Sequence, residues 1–142
     1  MQNVSSSSTK TLSPKSFFEE LRRHKVIAWD HDETLVGWDG ARTLQAWIEA
    51  HPEKQHHIVT FRKTADGLLE ELPESTRKRI ASVTCAAGIN LEERLFDWKA
   101  KVCSQIGATV LVDDLYFQDV GCRQHGITFL NSHWSKKQDE FQ

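Results

Sequence analysis

The segment VIAWDHDETL, residues 26–35, places Asp30, Asp32 and Glu33 directly after an apolar run. Carboxylates crowded this closely favour proton uptake unless a cation or a set of oriented donors sits among them. A second apolar run, ATVLVDD (108–114), ends on Asp113 and Asp114, and a third, HHIVT (56–60), ends on Thr60. Asp30, Asp32 and Asp114 could supply oxygens to a hard divalent cation. Magnesium is the natural one, because it takes few carboxylates and completes its shell with waters and phosphate oxygens. A carboxylate held beside such an ion and a bound phosphate can act as a nucleophile and form an aspartyl-phosphate. Asp32, two residues on and past a turn, could give a proton to the leaving oxygen. Thr60 offers a hydroxyl to a phosphoryl oxygen. A lysine is still needed to balance several carboxylates and a phosphate, and Lys99 and Lys101 both precede the last acidic strand. Each feature alone is common on ordinary surfaces and turns. Their order carries the inference: a strand-ending D-x-D-x-T, a strand-ending Thr, a Lys and a strand-ending DD.

Residues so arranged need elements that bring strand ends together. SPKSFFEELRRH reads as a short helix with Ser13 as N-cap, Pro14 first, and Phe17, Phe18 and Leu21 as an apolar stripe. KVIAWD (25–30) is a buried strand. ARTLQAWIEAH (41–51) shows Leu44, Trp47 and Ile48 at helical spacing and is closed by Pro52. HHIVT is the second strand, TADGLLEEL (64–72) a helix with a glycine flaw, and 82–86 a third strand after a polar turn or helix. LEERLFDWKAKVCSQIG (91–107) is the longest helical candidate, although its first half could be loop, and Gly107 is a good stop. ATVLVDD is the fourth strand, YFQDVGCRQHG (116–126) a helix and ITFLN (127–131) a last strand. Apolar strands separated by helices predict a parallel sheet covered on both faces. In such sheets ligands sit beyond the carboxyl ends of the strands, where Asp30, Thr60, Asp113 and Asp114 all fall.

The chain has 142 residues, 39% apolar and 27% charged, a balance suited to one globular domain. Residues 1–14 and 135–142 read as polar tails around a single domain at 15–134. The net charge of −2 gives no general reason for nucleic-acid binding. No apolar run approaches the ~20 residues that cross a bilayer, and no secretory signal is evident. Cys85, Cys103 and Cys122 form no CxxC pair, so a cytoplasmic location is expected rather than a disulfide framework or zinc site. The His56–His57 pair lacks metal-ligand spacing and reads as structural. Trp29 and Trp47 read as core, whereas Trp38, in the glycine-flanked loop after the acidic turn, is a candidate for substrate contact. Arg62 and Arg42 could grip a substrate anion or be plain surface arginines.

The ordered set resembles the haloacid dehalogenase superfamily of phosphatases and phosphotransferases. VIAWDHDET resembles its first motif, HHIVT the second, Lys99 in FDWKAKV the third and TVLVDD the fourth, together spanning about residues 25–131. The resemblance implies an α/β, Rossmann-like three-layer sandwich with a central parallel sheet, and magnesium-dependent hydrolysis of a phosphomonoester through an aspartyl-phosphate. Carried over, Asp30 would be nucleophile and metal ligand. Asp32 would be acid and then base, lending its main-chain carbonyl to the metal. Thr60 would bind phosphate, with Arg62 nearby, and Lys99 would neutralise nucleophile and phosphate. Asp114 would reach the metal, Asp113 would support the lysine or a metal-bound water, and Thr34 would close the turn. Glu33 would be exposed filler and His31 mostly structural. Lys101 rivals Lys99, and the two lie about 200° apart around a helix, so only one can face the site. Larger relatives insert a cap domain. Here Asp30 to Thr60 spans 30 positions and Thr60 to Lys99 spans 39, too few for one. An open site of this kind suits a bulky or macromolecular phosphorylated substrate, or closure by a second subunit. Nucleic-acid 3′-phosphate ends, a phosphoprotein and a small metabolite all stay open as substrates. A non-catalytic phosphate- or partner-binding module is the rival from another class.

Overall fold

Alternation along the strands sorts the side chains onto two faces. In β1 (Val26–Trp29), Ile27 and Trp29 point to one side of the sheet and Ala28 to the other. In β4 (Val110–Asp113), Val110 and Val112 follow the first side and Leu111 the second. The first face is covered by α1 (Pro14–Arg22) and α2 (Ala41–Ala50), which contribute Phe17, Leu21, Leu44, Trp47 and Ile48. The second is covered by α5 (Trp98–Ile106) and α6 (Asp119–Gln124), which contribute Trp98, Val102, Cys103 and Cys122. With two such cores the domain is a three-layer α/β sandwich of the Rossmann-like kind. This is a computed structural model that describes residues 11–134, so residues 1–10 of the first expected tail and the whole of the second, 135–142, lie outside the described residues.

Among the described residues the sheet is five-stranded and parallel, in the order β3-β2-β1-β4-β5, with β2 Gln55–Val59, β3 Ile80–Thr84 and β5 Thr128–Asn131. From β1 the chain winds outward to one side through β2 and β3, then returns to the other side for β4 and β5. A crevice therefore opens at the carboxyl ends of β1 and β4, where the winding reverses. The register pairs Trp29 with Ile58 and with Val112, so the residues that follow, Asp30 and Asp113, emerge side by side. Among the described residues no second domain interrupts the stretches between β1 and β2 or between β2 and α5. Among the described residues, no helix is long and apolar enough to cross a membrane.

Several boundaries differ from the sequence reading. The helix expected over 64–72 is a turn through Gly67, at φ +72°, followed by a single 3-10 turn, Leu69–Glu71. The glycine lets the chain reverse there, which a helix would not. A short α3 (Glu74–Arg77) precedes β3, which begins two residues earlier than expected. The long candidate at 91–107 splits into α4 (Leu91–Arg94), capped by Asn90, and α5, which ends as expected on Gly107 at φ +81°. The helix expected at 116–126 opens as a 3-10 turn, Tyr116–Gln118, and continues as α6.

The break before α5 matters for the site. A Cβ on Gly121 would lie 2.1 Å from Phe96 O and 2.8 Å from Asp97 Cα, so α6 sits hard against the segment that launches α5. Overpacking costs about 1–3 kcal/mol, and here the struck atoms are backbone, which cannot rotate aside. That outweighs the about 1 kcal/mol an alanine gains over glycine in a helix. Gly121→Ala is expected to lower the thermal midpoint and to disturb the start of α5. An unchanged midpoint would show that residues 95–97 yield freely and do not set the helix.

Candidate active site

Asp30 follows β1 and is almost wholly buried, its main-chain N–H donating to Val112 O at 2.8 Å. Its carboxylate is held from two sides. Lys99 Nζ donates to Oδ1 at 2.7 Å, and the Thr34 hydroxyl donates to Oδ2 at 3.2 Å while lying 2.9 Å from Ser132 Oγ. The turn between Asp30 and Thr34 closes on His31 O, which accepts from the N–H groups of Thr34, Leu35 and Val36. Thr34 therefore does more than close the turn: it fixes one oxygen of Asp30.

Lys99 is fully buried at the second position of α5. Its ammonium donates to Asp30 Oδ1 and to Asp113 Oδ2, both at 2.7 Å, and lies 4.4 Å from the centre of the Phe61 ring. Burial alone would drive the proton off; the charges of Asp113 and Asp30 overcome it and raise the Lys99 pKa. Lys101 lies round the same helix and lines a separate hollow with Arg94, Trp98 and Gln105. The helix register thus brings Lys99, and not Lys101, to the carboxylates.

Asp113 is used up structurally, with Oδ2 on Lys99 and Oδ1 accepting from Leu115 N at 3.0 Å. Asp114 is half-buried beside it, and oxygens of Asp30, Asp113 and Asp114 lie within 4.8 Å of one another. Burial first, and then the neighbouring Asp30 and Asp113, push the Asp114 carboxyl up to about 8. Three carboxyl groups share one ammonium, and the raised Asp114 pKa marks a cluster short of positive charge. A hard divalent cation fits that deficit, since carboxylate oxygens are what magnesium takes from a protein.

Thr60 follows β2, its N–H on Thr84 O at 3.0 Å, and is buried at the same edge. Its Oγ1 accepts from Arg62 N at 3.1 Å, which leaves the hydroxyl proton free to be donated to a bound oxygen. Asp30, Asp32, Thr60, Phe61 and Asp114 line an open hollow of about 230 Å³.

Asp32 is placed differently from a free acid. Arg62 Nε donates to its Oδ2 at 3.0 Å and Nη2 to its Oδ1 at 2.7 Å. The Arg62 hydrogen bonds lower the Asp32 pKa despite partial burial. The other edge of Arg62 grips Glu71, Nη1 to Oε2 at 3.1 Å and Nη2 to Oε1 at 3.0 Å. Glu71 also takes the buried His31, whose Nε2 lies 3.0 Å from Oε1. Arg62 and then His31 bring the Glu71 carboxyl down to about 2.

The remaining candidates do not converge on the hollow. Trp38 stacks on His133 at 3.8 Å and donates to Thr34 O at 2.7 Å, while His133 Nε2 lies 2.7 Å from Glu33 O. This pair braces the acidic turn, where Glu33 holds φ +62°, a costly conformation for a side-chain-bearing residue. Glu33 is therefore a strained turn residue that also lines the hollow, more than filler. Arg42 is engaged by Glu49 at 2.8 and 3.0 Å. His56 accepts from Trp29 Nε1 at 3.1 Å inside the core, as a structural histidine does. Sequence reasoning missed Glu71, Phe61 and Ser132. Only Phe61, next to Thr60, carried a signal of position.

No protein-family model matches this sequence, and no curated protein matches it significantly. Solved structures do resemble it. A protein of Corynebacterium glutamicum ATCC 13032 Kitasato, described as uncharacterized, superposes with a TM-score of 0.53 at 17% identity, over 75% of this chain and 82% of that one. The core domain of a putative phosphoglycolate phosphatase from Streptococcus pneumoniae TIGR4 superposes with a TM-score of 0.50 at 17% identity, over 83% and 88%. At this identity the likeness is one of fold alone, a Rossmann-like α/β core.

Proposed function

We propose that the protein is a capless phosphatase of the haloacid dehalogenase type, hydrolysing a phosphomonoester through an aspartyl-phosphate on Asp30. The observation that carries this reading is the placement of Lys99 Nζ, 2.7 Å from both Asp30 and Asp113 at the crevice between β1 and β4. Burying a lysine between two carboxylates is costly to arrange and does not serve packing, as it does serve a site that must hold a nucleophile charged beside an anion.

In this reading Lys99 and Thr34 orient the Asp30 carboxylate toward the hollow. Asp30 attacks phosphorus in line with the leaving oxygen, and the P–O bond to the leaving group breaks as the Asp30–phosphorus bond forms. The Thr60 hydroxyl and the Lys99 ammonium receive phosphoryl oxygens. Asp32, once it has left Arg62 and taken a proton from solvent, protonates the departing oxygen and afterwards takes a proton from the water that hydrolyses the aspartyl-phosphate. Asp30, Asp114 and the main-chain carbonyl of Asp32 are the groups that would hold a magnesium ion, which would supply charge to offset the carboxylates and the phosphate. The hollow is open, so a leaving group that extends beyond it, and with it a bulky substrate, is admissible.

Phosphate release from a panel of aryl and alkyl phosphomonoesters tests the reading. Turnover is expected with magnesium, to vanish in EDTA and to return with excess magnesium. Undiminished turnover in chelator would remove the metal from the mechanism, and no release from any ester would remove the phosphatase.

A further inference from the structure

Arg62 presents two edges to two carboxylates that are not equally anchored. Glu71 is fixed from behind by the buried His31 at 3.0 Å, whereas Asp32 is a half-exposed side chain on the rim of the hollow. The Nη1–Nη2 edge on Glu71 therefore holds the guanidinium in place, and the Nε–Nη2 edge on Asp32 is the exchangeable one. The Arg62 guanidinium bridges Asp32 and Glu71, and His31 stands behind Glu71. While its carboxylate accepts two N–H bonds from Arg62, Asp32 is turned toward the arginine and cannot serve a leaving oxygen. Something must displace it, and a planar bidentate site is best filled by another planar or tetrahedral oxyanion.

Resting on the phosphatase reading, we infer that Arg62 is a specificity residue for a second anionic group on the leaving side of the substrate. That group, a carboxylate or a phosphodiester, takes the Nε–Nη2 edge and frees Asp32, already on the rim of the hollow, to turn from the arginine toward the leaving oxygen. Glu71 and His31 are positioning residues that keep Arg62 in place during the exchange. The charge around Arg62 is the same before and after, one anion having replaced another. Phosphomonoesters of small hydroxy acids, or of the terminal hydroxyl of a short nucleotide chain, carry the required second charge.

The experiment compares kcat/KM for an alkyl phosphate bearing a carboxylate near the ester, its neutral amide, and a dinucleotide ending in a phosphomonoester. An activated aryl phosphate, which has no second anion and needs little acid assistance, reports the phosphoryl-transfer centre alone. Wild type is expected to favour at least one of the two dianionic substrates over the amide by about ten- to a hundredfold, the range of a charge-assisted bidentate contact. The preferred arm identifies the anion. In Arg62→Gln the preference should collapse toward one, chiefly through KM, and in Glu71→Gln it should fall part of the way. Binding of the corresponding carboxylated and amidated phosphonates to wild type, by calorimetry, gives the same ratio without any variant. Turnover of the aryl phosphate with no preference among the others overturns this inference and leaves the phosphatase intact. Preference that persists in Arg62→Gln overturns it too. Absence of all turnover, aryl phosphate included, takes down the phosphatase reading and this one with it.

Discussion

Asp30→Asn is expected to reduce phosphate release to background with every substrate while the protein stays folded. The two halves of that result have separate causes. An amide can neither attack phosphorus nor carry the phosphoryl group, so the first chemical step is lost outright and not slowed. The fold survives because the replacement is isosteric and the hydrogen bonds can be re-dealt. The Asn carbonyl can accept from Lys99, where Asp30 Oδ1 now accepts at 2.7 Å. The amide N–H can donate to Thr34 Oγ1, whose own proton then passes to Ser132 Oγ at 2.9 Å. One fewer charge in a cluster of three carboxylates also relieves repulsion. Stability should therefore stay within about 1 kcal/mol of wild type, the scale of one rearranged hydrogen bond. Beryllium fluoride, a mimic of the phosphorylated aspartate, should bind wild type in the presence of magnesium and fail to bind the variant. Retained turnover in Asp30→Asn would oblige the covalent route to be abandoned.

What the sequence made legible and what it concealed divide along a physical line. Strand ends are readable because a buried parallel strand is an unbroken apolar run, and the first polar residue after it marks the edge. Asp30, Thr60 and Asp113 were placed that way, and the parallel register then brings them to one crevice. Helix registers are less readable. The choice between Lys99 and Lys101 depends on where α5 starts and which face it turns to the sheet, and the close packing of Gly121 against residues 96 and 97 is a contact between elements that periodicity does not contain. Contacts made by irregular segments are not readable at all. Glu71 reaches Arg62 and His31 because Gly67 turns the chain and a 3-10 turn ends beside the acidic loop. A helix over 64–72 would have predicted none of it. Trp38 shows the same limit from the other side: its stacking partner, His133, is far along the chain, so a loop tryptophan that looked available is already engaged.

That division also explains why the two acids of the D-x-D turn differ so much. Asp30 continues the strand, is buried, and is held by Thr34 from β1's own turn and by Lys99 from α5, with Ser132 after β5 backing Thr34. Asp32 lies past the turn, half-exposed, and its partner comes from the segment after β2. The buried acid is tied to regular structure, and the half-exposed one is tied to a loop.

Lys99 links stability to chemistry, and its removal is expected to have the largest effect on the fold. Lys99→Met keeps the length and apolar stem of the side chain beside Phe61 but deletes the ammonium between Asp30 and Asp113. Removing one partner of a buried ion pair costs about 3–5 kcal/mol, because the remaining charge is left desolvated. Here two carboxylates are left, so the upper half of that range is expected near neutral pH. The pH dependence gives the cause. Burial, and then the charge of Asp30, already hold the Asp113 pKa up at about 6 in the presence of Lys99, which opposes that rise. Without the ammonium it climbs further. A carboxyl whose folded pKa is raised contributes stability below its unfolded value, near 4, and loses it as pH rises through the folded value. The gap between wild type and Lys99→Met should therefore be small at pH 4, widen through pH 6 and be greatest above it. Adding Asp113→Asn removes one of the stranded charges and should recover a large part of the stability without restoring turnover, since phosphate would still meet Asp30 with no ammonium beside it. Denaturant unfolding of wild type, the two single variants and the double, at pH 4.5 and 7.5, closes the cycle. A pH-independent loss, or a double variant no more stable than Lys99→Met, would mean that Lys99 matters as volume in the core and not as the charge that holds the site together.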